Sequence, residues 1–350
     1  MKKGITISDL AQRVDKNAKA KRDFVADSGC IRMKADGKTL NINGGKVEDI
    51  EFKMTNICHR QMGGTLGIPA KYYDKLREKS PSLLAQNVNW WLHTEQRQQM
   101  IRTLSLKDEN PIARAFLSER YRPLDNVDLI NELVPLINEK GADVKSCELT
   151  DSHLYLHASF PEIEREITEG DVVRSGILIR NSEVGLSSLK VQPWIERLKC
   201  LNGMIVADSG VRKYHVGKNL SNGDLAYELM SDETKLKTDK AFWSQVKDVV
   251  KSTIDISKFE NIVNSYAEKA KIEVATPARA IEVTSNLFNL SADEGNTMLR
   301  HLCEGGDYSQ WGIANSVTRM AHDQESYDRA VELEEVGGHV MELSQRVWAD

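Results

Sequence analysis

Basic and aromatic side chains recur on two strand-like segments in the middle of the chain. His153, Tyr155 and His157 alternate with apolar residues in HLYLHASF, and Arg174 and Arg180 lie in VVRSGILIR. Because successive side chains of a strand point to opposite faces, each set shares one face of its strand. Aromatic rings stack on nucleic-acid bases and guanidinium groups bind phosphates, so the paired strands would form a polyanion-binding surface open to solvent. The alternative is an ordinary polar outer face of a sheet.

A second basic and aromatic cluster lies in the segment RAFLSERYRPLDN. Arg120 and Arg122 flank Tyr121, and Arg114 precedes them in the chain. Basic residues interleaved with an aromatic residue are typical of nucleic-acid-binding segments. The alternative is a plain connection between a strand and a helix that an Asp or Asn caps. The residues predicted to bind nucleic acid are Arg114, Arg120, Tyr121, Arg122, His153, Tyr155, His157, Arg174, Arg180 and Lys190.

Histidines and carboxylates raise the question of metal or acid–base chemistry. In a strand, His153 and His157 stand about 13 Å apart, which is too far to share one metal ion. Glu183, beside Arg180 and Asn181, is a candidate acid for a metal-dependent nuclease, with a structural turn and a local ion pair as the alternative. The acidic segment PEIEREITEGD is expected to be a solvated hairpin loop. The sequence therefore predicts no metal, no cofactor and no catalytic residue.

The charge of the chain is unevenly distributed. The 350 residues carry a formal net charge of -5. Residues 1–80 hold 17 Lys and Arg against 10 Asp and Glu, so the balance is +7 there and -12 over the rest of the chain. A basic front on an acidic body favours an anionic partner at one end, although a solvated, lysine-rich helix produces the same count.

Cysteine usage and hydropathy restrict the setting of the protein. The five cysteines are scattered and form no CxxC pair, so the sequence predicts neither a disulfide framework nor a zinc site. No apolar run approaches the roughly 20 residues that span a bilayer. The first residues carry two lysines without the apolar segment of a secretory signal. We therefore expect a cytoplasmic protein without a membrane partner.

The pattern of apolar residues predicts an α+β fold with three parts. Residues 1–98 are expected to form a small helical lobe, with a helix over 7–28 and a hairpin over 31–43 around Asp-Gly. Residues 99–220 are expected to form a central domain around a mixed or antiparallel sheet. Residues 221–350 read as helical throughout. The strands predicted for the central sheet cover residues 100–106, 113–117, 143–149, 153–160, 172–180, 189–198 and 204–206.

Three segments resemble one known family in their order along the chain and in their amino-acid sequences. The first contains GIPAKYYDKL and SLLAQNVNWWL, the second RAFLSERYRPLDNVDL, and the third ILIRNSEVGLSSL and WIERLKCLNGM. Over roughly residues 50 to 250 they resemble the domain of unknown function 932 family, the phage/plasmid-like proteins of prophages, phages and conjugative elements. The resemblance implies a role in mobile-element DNA metabolism or defence evasion, and it carries over no catalytic residue. The central strand layout is also similar to that of single-strand-annealing proteins with a basic groove beside a hairpin.

Three functional hypotheses follow from these observations. The first is a non-enzymatic protein that binds single-stranded DNA and anneals or recombines it as a homo-oligomer. The second is an anti-defence protein of the antirestriction type, whose acidic body binds a host protein by mimicking DNA. The third is a metal-dependent nuclease that uses Glu183. The sequence favours the first.

Overall fold

The helices and strands are arranged around two sheets. The computed structural model describes residues 1–43, 50–107, 109–207, 232–274 and 276–348. These residues form eleven α-helices and eleven β-strands, and the predicted α+β class is confirmed. The C-terminal region is helical, as predicted, whereas the predicted boundary at residues 220 and 221 lies outside the described residues. No described helix combines the length and the apolar composition needed to cross a bilayer.

The first sheet has six strands and belongs to the N-terminal part of the chain. Its strand order is β1-β5-β6-β4-β3-β2, and all neighbours are antiparallel except β4 and β6. Its strands are β1 Lys21–Asp27, β2 Ile31–Met33, β3 Thr39–Ile42, β4 Ile50–Met54, β5 Gln98–Leu104 and β6 Ile112–Ser118. One face packs on three helices: α2 Asn56–Thr65, α3 Ala70–Lys79 and α4 Pro81–Thr94.

Local sequence signals predicted part of this sheet. The hairpin around Asp36 and Gly37 is confirmed: β2 and β3 pair there, and Gly37 has a φ of 62°. The Asp36 carboxylate accepts hydrogen bonds from the backbone of Lys38 and Thr39, both at 2.9 Å, which fixes the turn. Besides this hairpin, residues 1–98 contain the helices α1 (Ile7–Ala20) to α4 and the strands β1 and β4.

The predicted helix over residues 7–28 is wrong in its second half. Helix α1 covers Ile7–Ala20, and the chain continues directly into β1. In β1, Phe24 packs into the core while Asp23 lies opposite Arg102, a period of two that a strand satisfies. The two strands expected in the central sheet, β5 and β6, pair with β1 and β4 in the first sheet instead.

The second sheet has five antiparallel strands in the order β11-β10-β9-β8-β7. They are β7 Asp143–Leu149, β8 Leu154–Thr168, β9 Asp171–Asn181, β10 Lys190–Arg197 and β11 Asn202–Ile205. The acidic segment predicted as a loop is mostly part of β8, and the turn to β9 consists of two residues, with Gly170 at a φ of 75°. Pairing with β9 therefore replaces the solvated loop.

Helices cover the second sheet on both faces. The helices after α4 are α5 Asn126–Glu139, α6 Asp232–Thr253, α7 Ile256–Lys269, α8 Pro277–Phe288, α9 Ala292–Gly305, α10 Gln310–Met320 and α11 Tyr327–Glu342. One face of the sheet carries Leu156 and Ile179 and packs on α1, α5 and α6, while Val173 and Ile195 at the far end of this face pack on α7. The opposite face, which carries Trp194, packs on α11.

Trp194 occupies the space above two glycines of neighbouring strands. It lies opposite Gly176 of β9, and a Cβ at Gly176 would stand 2.6 Å from its ring. A Cβ at Gly203 of β11 would stand 2.2 Å from the same indole. The indole is fully buried, and His157 contacts it edge-on at a centroid distance of 5.2 Å. The glycines therefore allow this large side chain to fill the layer between the sheet and α11.

We expect the substitution Gly203→Ala to lower the free energy of unfolding by about 1–3 kcal/mol, because the added methyl group overlaps a rigid ring. Urea denaturation followed by circular dichroism measures this change. The matched control is Gly64→Ala in α2, where a Cβ has no neighbour within 4 Å. In a helix, alanine is favoured over glycine by about 0.5–1 kcal/mol, so the control is expected to be neutral or stabilising. Equal stability of Gly203→Ala and the wild type would contradict the packing described for Trp194.

Candidate functional site

The sheet face predicted to bind nucleic acid forms, but it is buried. Strands β8 and β9 pair with Tyr155 opposite Arg180 and His157 opposite Leu178, so the histidine, the tyrosine and the arginine share a face as expected. Yet the exposed fraction of His157 is 0% and that of Tyr155 is 3%, because α11 packs on this face. The expectation that these side chains point to open solvent is wrong.

The polar atoms of His157 are used to hold α11 on the sheet. Its Nε2 lies 2.9 Å from a carboxylate oxygen of Glu334, and its Nδ1 lies 3.2 Å from the hydroxyl of Tyr327. The Tyr327 hydroxyl also lies 2.8 Å from Ser146 Oγ on β7. Burial raises the pKa of Tyr327, so its hydroxyl keeps its proton and can donate. These buried groups satisfy one another, as buried polar groups must.

The two arginines of β9 are neutralised within the protein. The Nε of Arg174 donates to Glu164 at 2.9 Å, and its Nη1 lies 3.4 Å from Glu196. Arg180 lies 3.3 Å from both carboxylate oxygens of Glu335 on α11. Because both guanidinium groups are largely buried against carboxylates, a phosphate would have to displace buried ion pairs to reach them.

The other predicted residues around this face also have protein neighbours. His153 Nε2 lies 3.0 Å from Ser187 Oγ, and its ring lies 5.4 Å from the Tyr155 ring. Burial lowers the pKa of His153, so the ring is neutral at pH 7. Lys190 and Arg122 are half-buried, and each interacts with other protein groups. None of these side chains forms the open basic surface that the alternation suggested.

The segment around RYR divides into buried and exposed parts. Arg114 is half-buried and pairs with Glu183 at 2.9 Å. The Tyr121 hydroxyl donates to the backbone oxygen of Ser182 at 3.2 Å, and burial raises its pKa. Arg120, in contrast, is 74% exposed and lies 4.0 Å from Glu119. Of the ten predicted residues, Arg120 is the one that is exposed, and the other nine are buried or half-buried.

A buried charge cluster, which the sequence analysis missed, joins the two sheets. Arg102 of β5 is 1% exposed; its Nη2 donates to Asp125 at 2.6 Å and its Nε to Asp23 at 3.2 Å. Its Nη1 donates to the backbone oxygen of Glu183 at 2.7 Å. Asp125 is also paired with Lys21. The junction cluster consists of Lys21, Asp23, Arg102, Arg114, Asp125 and Glu183. The sequence feature that could have indicated this cluster is Arg102, a charged residue inside the largely apolar segment MIRTLSL.

Glu183 is a structural member of this cluster. One carboxylate oxygen accepts from Arg114, and the other accepts from the backbone N–H of Asn126 at 2.8 Å. Asn126 begins α5, so the carboxylate also compensates the positive end of that helix. Both oxygens are engaged, and the described residues contain no group of three or more His, Cys, Asp or Glu that could hold a metal ion. The geometry therefore does not support Glu183 as the acid of a metal-dependent nuclease.

The segment NSEVG, which follows β9, docks directly against the first sheet. The amide of Gln61 on α2 donates to the backbone oxygen of Val184 at 2.7 Å and accepts from the backbone N–H of Phe116 at 2.9 Å. Gly185 has a φ of 75°, and a Cβ there would lie 2.8 Å from Leu117 on β6. This segment therefore fixes how the β5–β6 hairpin sits on the second sheet.

Two polar cavities lie at opposite ends of the β5–β6 hairpin. The α1 cavity, of about 210 Å³, lies where β5 ends and β6 begins. The Arg120 cavity, of about 550 Å³, lies at the other end of the same strands. The polar and basic residues that line the α1 cavity include Arg13, Lys16, Asn17, Thr55 and Arg114. The polar and basic residues that line the Arg120 cavity include Thr65, Arg97, Gln98, Ser118 and Arg120.

Exposed cations stand at both cavities. Arg13 and Lys16 on α1, and Arg97 and Arg120 at the ends of β5 and β6, each have more than half of the side chain exposed. Each is paired with a single carboxylate at the surface. The pairs are Arg13–Glu148 at 3.3 Å, Lys16–Glu109 at 4.0 Å, Arg97–Glu95 at 3.4 Å and Arg120–Glu119 at 4.0 Å. Surface pairs of this kind contribute about 0–1 kcal/mol, so an anion such as a phosphate can replace the carboxylate as the partner of the cation.

We expect Arg102→Met to lower the free energy of unfolding by about 3–5 kcal/mol at pH 7, because it removes the cation that pairs with Asp23 and leaves Asp125 with Lys21 alone. Burial acts to raise the pKa of Asp125, but hydrogen bonds from Lys21 and Arg102 outweigh it and hold the pKa below its ordinary value. Because its pKa is lowered in the folded state, the ionised Asp125 stabilises the fold above about pH 4, and this stabilisation is lost as the pH falls and the carboxylate is protonated. The deficit of the variant should therefore shrink when urea denaturation is repeated at about pH 3.5.

The control for this experiment is Arg279→Met, which removes an exposed ion pair with Glu282 on α8. It is expected to change the free energy of unfolding by less than about 0.5 kcal/mol at either pH. A loss in Arg102→Met no larger than that of the control would show that the junction cluster does not hold the sheets together.

The comparisons with known proteins identify a family. Residues 114–343 match the family model described as Domain of unknown function (DUF932). No curated protein and no solved structure matches the chain. The matched range begins and ends later than the segments that suggested the resemblance, and it runs from β6 through NSEVG and the second sheet to the end of α11. Because the match covers more than half of the chain, the protein belongs to the DUF932 family.

Proposed function

We propose that this protein binds single-stranded DNA at the exposed cations beside the two ends of the β5–β6 hairpin of the first sheet. The observation that carries the proposal is the position of the exposed cations. Arg13 and Lys16 stand at the α1 cavity, and Arg97 and Arg120 stand at the Arg120 cavity. The proposal moves the binding surface away from the buried face of the second sheet and keeps Arg120, which lies at one end of the new surface.

The distance between the two cavities suits a short stretch of nucleic acid. Strand β5 has seven residues, so its ends lie about 20 Å apart at a rise of roughly 3.3 Å per residue. At about 3.4 Å per nucleotide, this straight-line span corresponds to about six stacked nucleotides, and a DNA strand that passes over the surface around the buried β5 covers a longer path. Known single-strand sites cover about 4–16 nucleotides, so the span is of a useful size.

The state of the cations at these cavities favours phosphate binding. The side chains of these four cations are more than half exposed, so their pairs are weak, whereas Arg102, Arg174 and Arg180 are mostly buried against carboxylates. A phosphate that replaces a surface carboxylate releases counterions, which provides a favourable and salt-dependent contribution to binding. Among the cations described above, a ligand can therefore reach Arg13, Lys16, Arg97 and Arg120, but not Arg102, Arg174 or Arg180.

The overall charge distribution supports the α1 end of this surface, whereas Arg97 and Arg120 belong to the acidic part of the chain. The +7 balance of residues 1–80 lies on the part of the chain that forms α1 and most of the first sheet. The acidic remainder repels a polyanion and directs it towards that part. The cavities are recesses, and a flexible single strand follows recesses that a duplex, with a persistence length of about 50 nm, does not enter.

Fluorescence anisotropy with a labelled single-stranded oligonucleotide tests the proposal. We expect micromolar binding at about 50 mM salt and a steep loss of affinity as salt is raised. In the double variant Arg97→Gln/Arg120→Gln the affinity should fall about ten-fold. The slope of log K against log salt should flatten by roughly 1.4, since each phosphate contact with a single strand contributes about 0.7.

The matched control is Lys271→Gln/Arg279→Gln, which removes the same charge from two exposed ion pairs in the helical region. It should change the affinity by less than two-fold, and an unlabelled duplex should compete poorly. Equal losses in both double variants would show that net charge, not this surface, drives binding. No binding at about 10 μM protein and about 50 mM salt would contradict the proposal and favour the host-protein alternative.

A further inference from the structure

A serine, a histidine and an aspartate meet in line at one edge of the second sheet. The Oγ of Ser187 lies 3.0 Å from His153 Nε2, and Nδ1 of the same ring lies 3.9 Å from Asp328 Oδ1. Ser187 lies in the loop between β9 and β10, His153 directly before β8, and Asp328 in the first turn of α11. Because β8 begins where β9 ends, the fold brings these distant segments together. A nucleophile, a base and an orienting carboxylate stand in this order in serine hydrolases of unrelated folds.

The carboxylate of Asp328 determines which nitrogen of His153 can act as a base. Nδ1 is buried and has no hydrogen-bond partner in the part of the chain that the structure describes, and the Asp328 carboxylate is beside it. We assign the tautomer from this position: the negative charge favours a proton on Nδ1, which leaves Nε2 to accept from the Ser187 hydroxyl. The distance from Nδ1 to Oδ1 is longer than a hydrogen bond, and such contacts often shorten when a substrate binds.

The surroundings of His153 keep its ring neutral, as a general base requires. The titratable and charged groups around the ring are Asp328, Arg180, Lys190, Glu332 and Tyr155. Burial is the largest influence and lowers the pKa of His153, whereas the charge of Asp328 acts in the opposite direction. The charges of Arg180 and Lys190 lower the pKa as well, so it lies below its ordinary value. Near neutral pH the ring can therefore accept a proton.

Hydrogen bonds fix the segments that carry the three groups. The Asp328 carboxylate accepts from Thr150 Oγ1 at 3.0 Å and from Ser152 Oγ at 2.5 Å. The backbone oxygen of Ser152 accepts from Ser182 Oγ at 2.8 Å, and that oxygen accepts from the backbone N–H of Leu186 at 3.2 Å. The loop that carries the serine is thus tied to the turn that precedes the histidine. Groups held in this way keep the relative positions that a reaction needs.

Solvent reaches the three groups. Ser187 is half-buried, and Gly185 and Leu186 before it in the loop are exposed. The side chains of His153 and Asp328 are 17% and 36% exposed. A small molecule can therefore approach the serine from the surface, with the exposed Leu186 as an apolar contact. None of the three residues lines either hairpin-end cavity, so the site is distinct from the proposed DNA surface.

We propose that Ser187 and His153, positioned by Asp328, hydrolyse small carboxylic esters. The Oγ of Ser187 attacks the carbonyl carbon while its proton passes to His153 Nε2. The bond to the alcohol breaks, the alcohol leaves with that proton, and the acyl group stays on Ser187. A water molecule then attacks the acyl carbon and gives a proton to Nε2. The carboxylic acid leaves as Ser187 takes this proton back.

A fluorophosphonate probe tests the nucleophile directly, because its phosphorus bonds to an activated serine as fluoride leaves. We expect one adduct by intact-mass spectrometry, and peptide mapping should place it on Ser187. Ser187→Ala should remove both the adduct and the hydrolysis of p-nitrophenyl acetate. His153→Gln should slow labelling about 100-fold, within the range of a general base. The matched control is Ser188→Ala, a half-buried neighbour in the same loop, which should be labelled like the wild type.

The pH dependence of labelling distinguishes a catalytic role from a structural one. Labelling of the wild type should rise with a midpoint below about pH 6.5, the ordinary pKa of histidine. The Asp328 carboxylate acts to raise the pKa of His153, so Asp328→Asn should slow labelling and move the midpoint to lower pH. No adduct, an adduct on another residue, or undiminished labelling of His153→Gln would overturn the proposal. The variant Arg97→Gln/Arg120→Gln should be labelled normally, so the DNA proposal and this one can fail separately.

Discussion

The guanidinium group of Arg102 is the interaction on which the arrangement of the two sheets depends. It binds Asp23 of β1, Asp125 before α5, and the backbone of Glu183 after β9, so three distant segments of the chain meet at one buried cation. Buried charges are expensive unless they are paired and hydrogen-bonded, and the cluster meets both conditions. Glu183 extends it to Arg114 and to the start of α5. Arg114, which pairs with Glu183 in this cluster, also lines the α1 cavity.

Local patterns predicted the strands of the second sheet and the pairing of β8 with β9, because alternation and turn residues act over a few positions. They did not predict which face is buried. A polar side chain on a strand is compatible with solvent or with a polar partner, and the partner of His157 is Glu334, 177 residues away. The same limit explains β1: KRDFVAD continues a helical pattern, and only the pairing with β5, far along the chain, makes it a strand.

The candidate site illustrates the same limit. Arg120 was recognised because Tyr121 and Arg122 follow it directly in the sequence. Arg13, Lys16 and Arg97 gave no signal, because each lies among ordinary polar residues and reaches its cavity only through the packing of separate elements. Arg102 was visible as a charge in an apolar segment, a pattern that indicates a buried ion pair more often than a ligand site. Its role became clear only from partners that are 23 to 81 residues away.

The exposed edge of the first sheet has a consequence for how the protein behaves at high concentration. Strand β1 forms that edge over seven residues, long enough to template the addition of a foreign strand. Its exposed charged residues are Arg22 and Asp27, and Val25 is the exposed apolar residue between them. Charges at this spacing penalise the approach of another backbone and act as gatekeepers against amyloid-like stacking. The charged side chains of the edge strand β1 thus also oppose edge-to-edge aggregation between copies of the protein.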